Sequence, residues 1–422
     1  MTGRLDDHQT ATPKQGVRRL GSVDGVRAIA TGFVFAYHGS VLLGAGGFMS
    51  RHWNVVGLFG PLGVCIFFVI SGFLLFRPFV GAILGDRAFP AAGVFWLRRA
   101  LRILPAYWVA LTLLWLVFDR IQIGSVGEFF TFYGLAQNYR TGFVDGGLDV
   151  AWTLVIEMSF YLVLPIFAVA LVALARRARQ LRTRYLVALA GAASWFLGGM
   201  AVRVWDIWFR AGPQSARGTW FAVSQTTRWL PGYLHWFAGG MMLAVVVEWV
   251  ARGGEMPRVL RLLGDHPWVS WLLAAGFLGA DIAIDLPQNV YLGTPMQALV
   301  VTLCTPLFAT FLFLPTVIGD TPSVIRAALA SVPMAWIGLV SYGVYLWHRP
   351  IMVDIIERTS GAGARTGFAW VGVRYAIAIA ATLAVAAASY YLVERPCIRV
   401  SHRFRRRRSH DSRLLAVSEV HS

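Results

Sequence analysis

Ten apolar runs, at about 26–45, 58–80, 103–118, 151–174, 185–204, 229–251, 268–285, 297–314, 335–356 and 370–393, leave this 422-residue chain few choices of fold. As helices rising about 1.5 Å per residue, most are long enough to cross a hydrocarbon core of about 30 Å. In lipid every backbone N–H and C=O must find its partner inside the chain, so runs of this kind predict helices. The expectation is an all-α polytopic membrane protein of about ten transmembrane helices.

Composition agrees. With 57% hydrophobic and 14% charged residues and 17 Trp, the chain is not a soluble domain with one anchor. Its formal charge of +17 rests on arginine, since Lys14 is the single lysine among 38 basic residues. These charges fall between the runs, which suits a topology signal better than a nucleic-acid surface. Ten is even, so both termini share a side. Placing the N-terminus inside sends Arg77 to Arg102, the run RRARQLRTR from Arg176, Arg252 to Arg261, Arg326 and the tail RFRRRR to the cytoplasm. The other side receives the acidic, aromatic loop 119–150, scattered Arg in 203–228, an uncharged loop near 290 and Glu357 to Arg365.

The expected organisation is a cytoplasmic tail over 1–20, one ten-span membrane domain over 21–398 and a basic cytoplasmic tail over 399–422, in the plasma membrane. The first twenty residues carry no A-x-A cleavage site and read as a tail, not a signal peptide. Cys65, Cys304 and Cys397 form no CxxC pair or metal-ligand spacing, so neither a disulfide nor a metal site is expected.

Polar residues within the runs point to chemistry. In VRAIATGFVFAYHGSVLL, Arg27 and His38 are eleven residues apart, so they share nearly one helix face about 16 Å apart along the axis. An ionisable residue inside a span costs roughly 2.5 kcal/mol or more when charged, so His38 should face protein or water. In AWTLVIEMSFYLVLPIF, Glu157 has Tyr161 and Pro165 on its face, and Pro165 frees the Tyr161 carbonyl from the helix ladder. In AWIGLVSYGVYLWHRPIMVDII, Ser341, Tyr345 and His348 form a polar stripe, which could also be plain helix-to-helix glue. Counting residues from the span ends puts His38, His348 and Glu157 at one level, slightly outside the midplane. FWLRRALRILPAYW sets Arg98, Arg99 and Arg102 on one surface at the inner interface, either a phosphate clamp or ordinary positive-inside charge. Gly60 and Gly63 allow a close helix contact, and Ser71–Gly72 a bend.

The segments SVDGVRAIATGFVFAYH, GVCIFFVISGFLL, RRALRILPAYW, WTLVIEMSFYLVLP, SYGVYLWHRP and YYLVERP resemble, in order and over nearly the whole chain, the membrane-bound acyltransferase family 3. These are O-acyltransferases of bacterial cell-envelope glycans, lipids and some antibiotics. The resemblance implies a ten-span fold, an acyl-CoA co-substrate taken from the cytoplasm, and transfer of an acyl group, acetyl foremost, to a hydroxyl of an envelope glycan or glycolipid outside. It matches the family's arginine and histidine to Arg27 and His38, its tryptophan and glutamate to Trp152 and Glu157, and its arginine-rich segment to Arg98, Arg99 and Arg102. Met158 departs from it, since members often carry Glu or Gln there.

The chemistry needs a base for the acceptor hydroxyl, and imidazole has the right range. His38 is the expected base, Glu157 its expected orienting partner, and His348 the third catalytic candidate. A covalent acyl-histidine is the weaker alternative. Arg27, Arg98, Arg99, Arg102, Tyr345 and Ser341 are the expected donor-binding residues, Arg27 and Tyr345 polarising the thioester or holding the pantetheine arm. A transporter or flippase of an envelope lipid or sugar would also place polar groups at mid-membrane. It would often show repeat symmetry, and none is detected in this sequence.

Overall fold

The computed structural model describes residues 13–43, 46–210, 228–284, 294–319, 321–359 and 368–401. The chain outside these ranges includes residues 1–12 and 402–422 of the expected tails, much of the expected outer loop 203–228, the loop near 290, Arg365 and the basic run Arg403 to Arg408; residues 13–20 belong to α1. Among the described residues there is helix and no strand. The helices are α1 (Pro13–Leu42), α2 (Gly46–Leu84), α3 (Ala92–Thr112), α4 (Val126–Tyr133), α5 (Trp152–Arg176), α6 (Leu181–Trp205) and α7 (Leu234–Val250). They continue as α8 (Arg258–Asp265), α9 (Pro267–Ala283), α10 (Pro295–Val317), α11 (Val324–Leu329), α12 (Val332–Thr359) and α13 (Phe368–Ser389).

Each of the ten expected segments coincides with a helix. Seven of these helices are long and apolar enough to cross a membrane, and this is a multi-pass membrane protein. The other three are α1, α9 and α12. α9 has only 17 residues, while α1 and α12 bring the polar groups of the site and so lose average hydropathy. Both are long, 30 and 28 residues, and they pack on each other.

α2 and α7 run through the interior and α13 along the periphery. Two glycines allow the central contact: a Cβ on Gly72 would strike the Phe237 carbonyl, and one on Gly240 the Val69 carbonyl. Gly63 likewise lets α2 lie against Ala30 and Val34 of α1. α2 is continuous helix through Ser71 and Gly72, where Gly72 is a packing contact and Ser71 bonds Glu157.

Several arginines of the expected cytoplasmic set have defined partners. Glu248, fully buried on α7, is bonded by Arg77 at 2.6 Å and Arg252 at 2.8 Å, and Arg252 reaches Asp86 at 2.6 Å. Arg326 donates to the carbonyls of Pro315 at 2.7 Å and Ile318 at 2.9 Å, a cation on the carbonyl end of α10. All three cysteines are free thiols.

Candidate active site

The site is assembled where α1, α2, α3, α5 and α12 meet. α5 runs antiparallel to α12, as two contacts four residues apart show: Thr153 of α5 with Tyr345, and Asp149, in the turn leading into α5, with Arg349. The same alternation brings Glu157 level with Ser341, and both line one cavity of about 90 Å³. Arg27, Arg99 and Arg102 border it too. Arg27 is paired with Asp24 at 3.1 Å. Among the described residues, Arg99 and Arg102 make no ion pair or hydrogen bond, and the Arg99 guanidinium lies 6.0 Å from the Tyr161 ring. Glu157 and Asp24 offset part of this charge, and the planar forks of Arg99 and Arg102, which carry no hydrogen bond among the described residues, have the geometry that suits an anion.

Glu157 accepts hydrogen bonds from Ser71 at 3.0 Å and from Tyr161. Pro165 leaves the Tyr161 carbonyl free as its position implies, and Trp96 takes it at 3.0 Å through its indole N–H. That bond ties α3, bearing Arg99 and Arg102, to the α5 turn bearing Glu157.

The two imidazoles meet directly. His348 is fully buried, and its Nε2 lies 3.1 Å from Nδ1 of His38. Hydrogen-bond logic assigns the protons. Nδ1 of His348 sits 2.9 Å from the carbonyls of both Val344 and Tyr345, so it must carry a hydrogen. In the neutral ring Nε2 is then an acceptor, and it takes the Nδ1–H of His38, which also faces the Val34 carbonyl at 3.1 Å. The remaining nitrogen of His38, Nε2, is left with a bare lone pair, which is the form of a base.

Expectations are corrected at three residues. Glu157 does not orient His38: it bonds Ser71 and Tyr161, and the His38 ring bonds His348 and the Val34 carbonyl. Nor do the three share a level. Thr153 meets Tyr345, and from there Glu157 lies four residues along α5 while His348 lies three along α12 in the opposite direction, so they are about 10 Å apart in depth. The residue count missed this because it measured each residue from the end of its own span, and the relative slide of α5 and α12 does not show in either span alone. Second, Arg98 is not among the residues lining the cavity, though Arg99 and Arg102 are. A helix of 100° per residue turns Arg98 aside from Arg99, and α5 approaches on the Arg99 side. Third, the Tyr345 hydroxyl donates to the Val150 carbonyl at 2.6 Å and meets Thr153, so its proton is not free to polarise a thioester.

Sequence reasoning passed over Thr153, Ser71 as a ligand of Glu157, and the Arg349–Asp149 pair beside the imidazoles. Arg349 stands in the quoted HRP run, and Asp149 four residues before Thr153 was its only local signal.

Fold and site together define a multi-pass helical membrane protein with a buried arginine-lined cavity beside an imidazole pair. A family model described as "Acyltransferase domain" matches residues 20–391, and the chain belongs to that acyltransferase family. It is 25% identical over 408 residues to peptidoglycan O-acetyltransferase OatA of Listeria monocytogenes, covering 91% of this chain and 57% of the relative. It is 24% identical to putative peptidoglycan O-acetyltransferase YrhL of Bacillus subtilis, covering 80% and 49%. To nodulation protein 10 of Rhizobium leguminosarum bv. viciae it is 24% identical, covering 83% and 86%. The chain thus spans about half the length of the two O-acetyltransferases. No solved structure matches it significantly.

Proposed function

We propose that the protein is an integral-membrane O-acyltransferase that moves an acyl group, acetyl foremost, from cytoplasmic acyl-CoA to a hydroxyl of an envelope glycan or glycolipid on the far side. The observation that carries this reading is the pair of guanidiniums without hydrogen-bond partners among the described residues, Arg99 and Arg102, in one cavity with Tyr345, near an imidazole whose free nitrogen is a base. The relatives' names support acetyl as the group and a cell-wall glycan as the acceptor.

In this reading Arg27, Arg99 and Arg102 hold phosphates of the donor, and the pantetheine arm runs past Glu157 and Ser341 towards Tyr345. His38 Nε2 removes the acceptor's hydroxyl proton. The alkoxide oxygen attacks the thioester carbon, the C–S bond breaks as the C–O bond forms, and the proton returns to the CoA thiolate. His348 is the positioning residue: its neutral Nε2 fixes His38 in the Nδ1–H tautomer and accepts from the imidazolium that forms. Both termini lie in the cytoplasm and the host membrane is the plasma membrane. Acyl-CoA is a co-substrate, and the scheme invokes no metal or bound cofactor.

The test is purified protein in lipid nanodiscs with acetyl-CoA and a soluble peptidoglycan glycan fragment. Free CoA thiol should appear in step with ester-linked acetyl on the sugar. Folded protein that binds acetyl-CoA yet releases no thiol with any envelope glycan would return the chain to a transport role.

A further inference from the structure

The arginine-lined cavity does not open onto the imidazoles. A second, smaller pocket lies beside it, bordered by His348, Val344, Val34 and Phe35, and it has no room for a water molecule. Phe67 of α2 and Tyr345 of α12 border both spaces. These two side chains are therefore the wall between the arginine-lined cavity and the imidazole pair.

The two halves of the wall differ in freedom. Tyr345 is pinned by its hydroxyl, which donates to Val150 at 2.6 Å and meets Thr153. Phe67 has no hydrogen-bonding group and is only partly buried, so packing alone holds it. An acyl carbon that is to meet an alkoxide made at His38 must come up to this wall from the arginine side. The space for its tail is then whatever the Phe67 ring leaves beside the fixed Tyr345 ring.

Resting on the acyl-CoA reading above, we infer that Phe67 is the specificity-determining residue for the acyl group, limiting efficient donors to short acyl chains. The reaction is unchanged by chain length: the acyl C–S bond breaks, the ester C–O bond forms, and the acceptor's proton ends on the CoA sulfur. What changes is whether the atoms beyond the carbonyl fit between Phe67 and Tyr345. One methylene in a close-fitting apolar pocket discriminates by about 10–200-fold, so a two-carbon extension is a sensitive probe.

The experiment is competition between acetyl-CoA and butanoyl-CoA, present together, with the ratio of butanoyl to acetyl ester on the acceptor read by mass spectrometry. A ratio is insensitive to how much protein folds. Phe67→Ala should raise it by at least about tenfold, and Phe67→Leu, which frees less space, should raise it by less. Phe73→Ala is the control, because Phe73 is on the same helix, packs on Phe313 at 5.4 Å and borders neither space. An unchanged ratio in both Phe67 variants, or an equal rise in Phe73→Ala, would overturn the inference. Failure of the wild-type protein to transfer either group would instead overturn the acyl-CoA reading on which it rests.

Discussion

Nε2 of His348 lies 3.1 Å from Nδ1 of His38, although the residues stand 310 positions apart in the chain. The contact joins the first long helix to α12, and it sets the proton inventory of the site. Because two backbone carbonyls hold the hydrogen on His348 Nδ1, the neutral His348 can only accept from His38. In the proposed mechanism a second imidazole takes the place that a carboxylate holds in a Ser-His-Asp arrangement.

His38→Ala is expected to leave an inserted protein that binds acyl-CoA and fails to transfer, with a rate loss of at least about 10²-fold. His348→Ala should lower kcat with little change in the KM for acyl-CoA, since it acts through His38. The double variant should be little worse than His38→Ala, because residues that act as a unit are not additive. Steady-state rates with both substrates varied check all three. Full additivity would separate the two histidines.

The arginines divide by position. Arg99→Gln and Arg102→Gln should each weaken CoA binding by roughly tenfold or more, a charge-assisted contact contributing about 1.5–3 kcal/mol. Arg98→Gln, off the cavity, should shift it by less than a few-fold. Calorimetry with CoA measures the difference, and equal effects at all three positions would mean a diffuse surface charge and no clamp.

How far the site was legible follows from where its information lies. His38, His348, Glu157 and the arginines stand out because ionisable groups are rare in apolar helices, and that signal is local. The Pro165–Tyr161 effect was legible too, because a proline's missing N–H acts at a fixed offset; only its taker, Trp96, was not. Which polar groups meet was not legible, since it depends on the relative slide of α5 and α12. An offset of a few residues between antiparallel helices moved Glu157 about 10 Å from the imidazoles and into the arginine cavity. The helices themselves were readable from hydropathy. The three that fall short of a crossing by length or apolarity do so mainly because the site's polar residues, or a short run, dilute them.

Close helix contact gives a stability prediction. Gly72→Ala and Gly240→Ala would each push a methyl into a backbone carbonyl of the facing helix, in α7 and α2 respectively. Backbone cannot rotate aside as a side chain can, so each should cost about 1–3 kcal/mol or more and lower the Tm in detergent. Gly276, with nothing within 4 Å of a built Cβ, is the matched control. Gly276→Ala should leave the Tm unchanged or raise it slightly.

At the end of α2, outside the spans, the Arg252 hydrogen bond holds the Asp86 carboxyl below its usual range. A carboxyl whose pKa is lowered by folding contributes stability above its ordinary value of about 4, and that contribution is lost as pH falls through the lowered value. The pair is solvent-exposed, so the effect is small. Wild-type Tm should fall more steeply than that of Asp86→Asn as pH drops from about 5 to 3. Parallel curves would mean that the ion pair adds nothing.

Sidedness joins mechanism to topology. Along α5 the distance from Tyr161, beside Arg99, to Thr153 is eight residues or about 12 Å, and Tyr345 to His348 on α12 adds about 4.5 Å. The sum, about 16 Å, is within the reach of an extended pantetheine arm of roughly 15–20 Å. A donor anchored at the arginines can therefore present its thioester at the imidazoles while its nucleotide stays on the side it came from. In the proposed mechanism the acyl group crosses by being handed over, with no rocking of the two halves of the protein. In proteoliposomes of known orientation, acetyl-CoA supplied to the face bearing the 77–102 segment should acetylate acceptor held on the opposite face. Free CoA should appear on the donor's side. Supply from the other face should give less than about a tenth of that rate, because the cavity lined by Arg27, Arg99 and Arg102 lies on the near side of the wall formed by Phe67 and Tyr345. If labelled product accumulated on the donor's own side alone, the acceptor would have to enter from the cytoplasm, and the protein would be an acyltransferase of that face.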